Sequence, residues 1–173
     1  MTSPDADADA DADVRASDDR AATRHADPAA GWVGDRRRAF RRRLVALVGA
    51  GMTIAAGLLV HRVLPDTAAS DIAGDALYAL LVYLLVIAVA PRLRIRLAAA
   101  IGAAWCVAVE LLQLTGLPAS AGASFPPAML VLGTVFDPRD LVVYLVTIGF
   151  AAGTDAALRR IRTDRALTAR SAR

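Results

Sequence analysis

The stretch "DRRRAFRRRLVALVGAGMTIAAGLLV", residues 35–60, decides the fold. Six arginines in residues 36–43 run straight into seventeen residues without a charge. As a helix, seventeen residues span about 25 Å, enough to cross a hydrocarbon core with help from the flanks. Arginines set against such a span usually act as cytoplasmic anchors, so no nucleic-acid partner is expected from this run.

Three further apolar runs follow: "GDALYALLVYLLVIAVA" at 74–90, "LAAAIGAAWCVAVELLQLTGL" at 97–117 and "LVVYLVTIGFAAGT" at 141–154. The composition agrees: 56% of the 173 residues are hydrophobic and mean hydropathy is +0.45, yet 21% are charged. A soluble domain of this size is rarely so apolar, and the conflict disappears because charge and apolar surface occupy different stretches. The predicted architecture is therefore all-α: a polytopic integral membrane protein built as a four-helix transmembrane bundle. Its domain covers 36–158, with spans at about 44–61, 73–90, 97–115 and 138–156.

Arginine placement orients the bundle. Six precede span one, three lie in "PRLRIR" between spans two and three, and six follow from Arg159. The other two connections hold one each, Arg62 and Arg139. The positive-inside rule then puts both termini in the cytoplasm, in a multi-pass protein of the plasma (inner) membrane. Residues 1–35 open on "DADADADAD" at 5–13 and read as a disordered Asp/Ala-rich tail, and 159–173 as a basic cytoplasmic tail. The acidic start lacks an apolar core, so no signal peptide is expected. The single Cys106 sits in an apolar run as a packing residue, and the isolated His25 and His61 form no metal-ligand spacing, so no cofactor is expected.

Span three carries Glu110, although an ionised carboxylate at bilayer depth costs about 2.5–3.5 kcal/mol. It lies thirteen residues beyond Leu97 in the chain, roughly 20 Å along the axis and so in the outer half of the bilayer. The orientation brings Arg62, Asp75, Asp137 and Asp140 to that height. Gln113 shares the face of Glu110 at i,i+3, and Asp137, Asp140 and Tyr144 share another on span four. These seven residues are the candidate polar cluster, outward-facing, with Arg62 as the cation that tunes it. Each has a plainer reading beside this one. "DPRD" makes a good helix start, with Asp137 as N-cap and Pro138 at the first helical position. Asp75 would answer the positive end of span two, and Arg62 would reach the interface by snorkelling. Glu110 resists dismissal because no helix end lies beside it, although pairing with Arg62 as interhelical glue would explain it. The uncharged connection "LPASAGASFPPAMLVLGTVF", 117–136, reads as a re-entrant or interfacial segment, either lid or passive plug. Small residues on spans one and three permit tight packing and leave homo-oligomerisation open.

"GDALYALLVYLL", "ELLQ" and "LGTVFDPRDLVVYLVTIG" resemble the bacterial membrane family catalogued as domain of unknown function 2809, and more distantly the VanZ-like proteins. The resemblance covers about 44–154 and falls on Gly74, Asp75, Tyr83, Glu110, Gln113, Gly133, Phe136, Asp137, Asp140 and Tyr144. Pro138 stands where the family often carries tryptophan. The resemblance implies a small polytopic membrane protein without an assigned activity; VanZ-like proteins are associated with glycopeptide resistance.

The expected function is that of an uncharacterised cell-envelope membrane protein, leaning away from an enzyme, whose acidic cluster binds a cation or a lipid headgroup. One alternative is an enzyme acting on lipid-linked envelope precursors, with Glu110 as general base. Against it, no nucleophile–His–Asp set is present. The other alternative is a structural or assembly protein.

Overall fold

A computed structural model describes residues 28–65, 67–117, 120 and 135–171. It contains the helices α1 (Pro28–Val63), α2 (Ala68–Val89), α3 (Ile95–Gln113) and α4 (Pro138–Ser171). All four are long and apolar enough to cross a membrane. Residues 1–39 and 40–173 form two compact units. Of the first, the described part is the start of α1; the packing below belongs to the second.

Helix boundaries follow local chemistry more than the limits of the apolar runs. α1 opens on Pro28, whose fixed φ and missing N–H suit a first helical position. Residues 28–35, expected in the tail, are thus helical, while the rest of the expected tail lies outside the described residues. α2 begins at Ala68 rather than near 73, because Thr67 and Ser70 form a capping box. The Ser70 amide donates to Thr67 Oγ1 at 3.3 Å, and the Thr67 amide donates to Ser70 Oγ at 2.9 Å. α3 ends at Gln113 through tight turns onto Leu111, Leu112 and Gln113, released by Gly116 at φ +70°. Only glycine takes that conformation without strain. α4 continues to Ser171, so the expected basic tail is helical. Its Ala-, Leu- and Arg-rich sequence holds no Gly or Pro after Gly153 to stop it.

Short connections make α1, α2 and α3 sequential antiparallel neighbours, and α2, α3 and α4 pack pairwise. The core joins Ala46 of α1, Ala79, Tyr83 and Ile87 of α2, Ala98 and Cys106 of α3, and Tyr144 and Ile148 of α4. Gly102 sits where an added Cβ would lie 3.7 Å from the Tyr83 backbone and from Ile148. The hydrophobic pattern is inverted relative to a water-soluble bundle. On α3 the buried face carries Ala98, Gly102, Cys106, Val109, Glu110 and Gln113. Leu97, Ile101, Trp105 and Leu111 of the same helix are exposed, as are Val142, Val146 and Phe150 of α4. Water penalises that arrangement and lipid rewards it.

One end of the second unit is tied by arginine. Arg42 Nη1 donates to the Pro91 and Leu93 carbonyls at 2.6 and 2.9 Å, and its Nη2 to Asp155 Oδ2 at 2.8 Å. Arg43 Nε donates to Ala88 O at 2.6 Å. Arg43 thus satisfies a carbonyl that α2 leaves bare at its C-terminus, and Arg42 satisfies two in the α2–α3 turn. Asp155 also accepts from Arg159 at 3.2 Å and from the Tyr83 hydroxyl at 3.4 Å. Sequence spacing predicts an exposed Asp155–Arg159 pair. The pair forms, but Asp155 is only 24% exposed because Arg42 and Tyr83 close over it.

Candidate functional site

At the opposite end, the C-terminus of α3 meets the N-terminus of α4. There the Asp137 backbone N–H donates to Glu110 Oε1 at 2.7 Å. Asp137 then caps its own helix, its Oδ1 accepting from the Arg139 amide at 2.8 Å. Glu110 therefore has a helix end beside it after all. That end belongs to α4, distant in sequence, and so escapes a reading of span three alone. A carboxylate there answers the positive dipole and an orphan N–H together.

Glu110 is fully buried, at 0% exposure, and its Oε2 makes no hydrogen bond. Asp137, Asp140 and Tyr144 are its electrostatic neighbours. Asp75 interacts with Asp140, Arg139 and Glu110, and Tyr144 lies within electrostatic reach of Asp75, Glu110 and Asp140. Asp75 is the eighth residue of α2, two turns past the helix start, so it does not answer that end; Asp71 occupies the first turn. Gln113 is buried on the same helix as Glu110. Asp75, Glu110, Asp137, Asp140 and Tyr144 are thus electrostatic neighbours, with Gln113 buried on the helix of Glu110.

Arg62 is the exception. It is exposed at the end of α1 and, among the described residues, forms no ion pair. The cation beside the acids is Arg139, with Nη2 3.6 Å from Asp137 Oδ2 and Nε 3.7 Å from Asp140 Oδ1. Arg139 lies between the two aspartates in the first turn of α4, so its position in "DPRD" was the available signal. Glu110 pairs with backbone, not with Arg62.

Aromatic side chains lie beside the acids. Tyr78 and Tyr144 stack obliquely, with centroids 6.0 Å apart at 58°. Trp105 Nε1 donates to the Tyr78 hydroxyl at 3.1 Å. The available signal was the i,i+3 spacing of Asp75 and Tyr78, which puts the ring on the acid's face of α2. Among the described residues, no three His, Cys, Asp or Glu side chains come together to hold a metal ion. A cleft of about 180 Å³ at the α1–α2 turn is lined by His61, Asp71, Gly57 and Gly74, and none of the seven candidate residues lines it. The 117–136 segment lies mostly outside the described residues, as does Gly133.

These features define a class: a helical protein with four membrane-capable segments and buried polar groups where helix ends meet. Residues 64–149, just under half of the chain, match the family described as "Protein of unknown function (DUF2809)", which supports the DUF2809 part of the resemblance read from "GDALYALLVYLL", "ELLQ" and "LGTVFDPRDLVVYLVTIG". No curated protein and no solved structure matches the chain.

Proposed function

We propose that the chain is a multi-pass inner-membrane protein of the DUF2809 family with both termini cytoplasmic, whose outward end binds a positively charged group. Asp75, Glu110 and Asp140 supply the charge, Asp137 and Tyr144 frame them, and Arg139 balances part of it. The inverted burial pattern and the four apolar helices support insertion. The observation that carries the site is Glu110. One carboxylate oxygen holds the start of α4, and the other is buried without a hydrogen bond. An unsatisfied charged oxygen is costly to bury, and a bound cation removes that cost.

Purified protein, exposed to a panel of inorganic and organic cations, tests this by thermal unfolding. A ligand at a hundred times its Kd stabilises the fold by about 2.7 kcal/mol. Asp75→Asn with Asp140→Asn should abolish that gain while leaving insertion intact. The reading fails if no cation stabilises the wild type.

The Glu110–Asp137 bond also favours a second reading, in which the carboxylate is interhelical glue alone. In that case Asp75→Asn would change neither phenotype nor ligand response.

A further inference from the structure

We propose that the group taken by this site is a primary ammonium, not a metal ion; the inference rests on the acidic-site reading above. Its first support is the distribution of charge. Arg139 already flanks Asp137 and Asp140. Among the described residues neither Asp75 nor Glu110 has an ion pair. Arg139 acts on Asp75 only from beyond ion-pair distance, and Glu110, at 0% exposure, keeps Oε2 without a hydrogen bond.

The second support is ligand geometry. A hard divalent ion wants six or more oxygens drawn tightly together. Here no three ligating side chains converge among the described residues, and a guanidinium stands beside two of the acids. A primary ammonium asks for less: one charge and three N–H donors. Glu110 Oε2 and the Asp75 carboxylate are acceptors of the right kind. A quaternary ammonium has no donor to give them.

The third support is aromatic. Tyr144 neighbours both Asp75 and Glu110 and packs against Tyr78, which Trp105 holds in turn by its indole N–H. Ring faces attract alkylammonium cations, while a small hydrated metal ion gains little from them. The ammonium would come from an ethanolamine lipid headgroup or from a free amine.

The full-length chain in maltoside micelles distinguishes the outcomes. Thermal unfolding is followed against ethylammonium, tetramethylammonium, calcium and magnesium, and then in nanodiscs of phosphatidylethanolamine or phosphatidylcholine. Ethylammonium should stabilise at about tenfold lower concentration than the other three, and Asp75→Asn should weaken it about tenfold. Tyr144→Phe should keep the response and Tyr144→Leu reduce it. If the leucine variant fails to fold, Tyr78→Leu gives the same readout. Stabilisation by phosphatidylethanolamine discs over phosphatidylcholine discs, abolished by Asp75→Asn, identifies the headgroup as source; response to free ethylammonium alone identifies a soluble amine. Calcium or magnesium acting at lower concentration than ethylammonium, with the same dependence on Asp75, overturns the ammonium assignment and leaves the acidic site standing. No response to any cation overturns both.

Discussion

Replacing Arg42 by glutamine should destabilise the helical bundle far more than removing any other arginine near it. Three short bonds converge on this side chain, to Pro91 O, Leu93 O and Asp155 Oδ2, and it is only 15% exposed. A hydrogen bond from a charged group contributes about 1.5–3 kcal/mol, and three on one side chain do not add fully. Part of the loss is recovered, because Asp155 retains Arg159 at 3.2 Å and Tyr83 at 3.4 Å. The net cost should be about 2–4 kcal/mol. Arg159→Gln removes an i,i+4 partner that is 43% exposed, and should cost under about 0.5 kcal/mol. Arg41 is exposed, and Arg41→Gln should be near neutral. Arg42→Lys keeps the charge but cannot span two carbonyls and a carboxylate, so it should fall between. Unfolding in mixed detergent–dodecyl sulfate micelles, followed by helicity, gives the ranking. A double-mutant cycle of Arg42→Gln with Asp155→Asn should return a coupling of about 1–3 kcal/mol. If Arg42→Gln costs no more than Arg159→Gln, the tie between α1, the α2–α3 turn and α4 does not hold the bundle.

Glu110→Gln keeps an acceptor for the Asp137 amide and should unfold within about 1 kcal/mol of wild type, whereas Glu110→Ala strands that buried N–H and should cost about 1–3 kcal/mol in the same titration. Gly102→Ala places its methyl at ordinary contact distance, 3.7 Å from Tyr83 and Ile148, and should be neutral or stabilising by up to about 1 kcal/mol. Gly102→Val must push into the Tyr83 backbone and should cost about 1–3 kcal/mol, measured by thermal unfolding. With the buried Cys106 replaced by alanine, a cysteine at exposed position 71 should react with an impermeant maleimide on intact cells, and one at position 160 only after lysis. The reverse pattern would invert the topology.

The parts legible in the sequence were those written locally. Apolar runs gave four helices, "DPRD" gave the cap that Asp137 makes, and the i,i+3 spacing of Glu110 and Gln113 gave two residues that are both buried. Less legible were helix ends set by small polar side chains. The Thr67–Ser70 capping box starts α2 before the apolar run, so Asp75 falls two turns inside the helix. Contacts between a side chain and a distant backbone were not legible at all. Arg42 and Arg41 are adjacent and identical in type, yet one is partly buried on carbonyls and the other exposed. Helical phase separates them, and the position of α2's last turn decides which phase faces inward. The choice of Arg62 over Arg139 as the cation failed for a related reason. A common height along the helices does not say which residues share an interior.

The two ends of the bundle differ in how completely their carboxylates are used, and this bears on where function lies. Asp155 accepts bonds on both oxygens, from Arg42 and Tyr83 on one and Arg159 on the other. The group left unsatisfied at that end is a donor, Arg42 Nε. At the α3–α4 end Glu110 uses one oxygen on Asp137 and leaves the other without a bond, although it is the more deeply buried of the two acids. Stability alone would favour the reverse, with the deepest charge the best satisfied, because the penalty for an orphaned acceptor grows with burial. Replacing Glu110 by glutamine would keep the bond to α4 and remove a charge. A role in binding would explain a carboxylate where the amide would do the same mechanical work. On the proposed reading, the α3–α4 end is where a ligand, rather than the fold itself, is the missing partner.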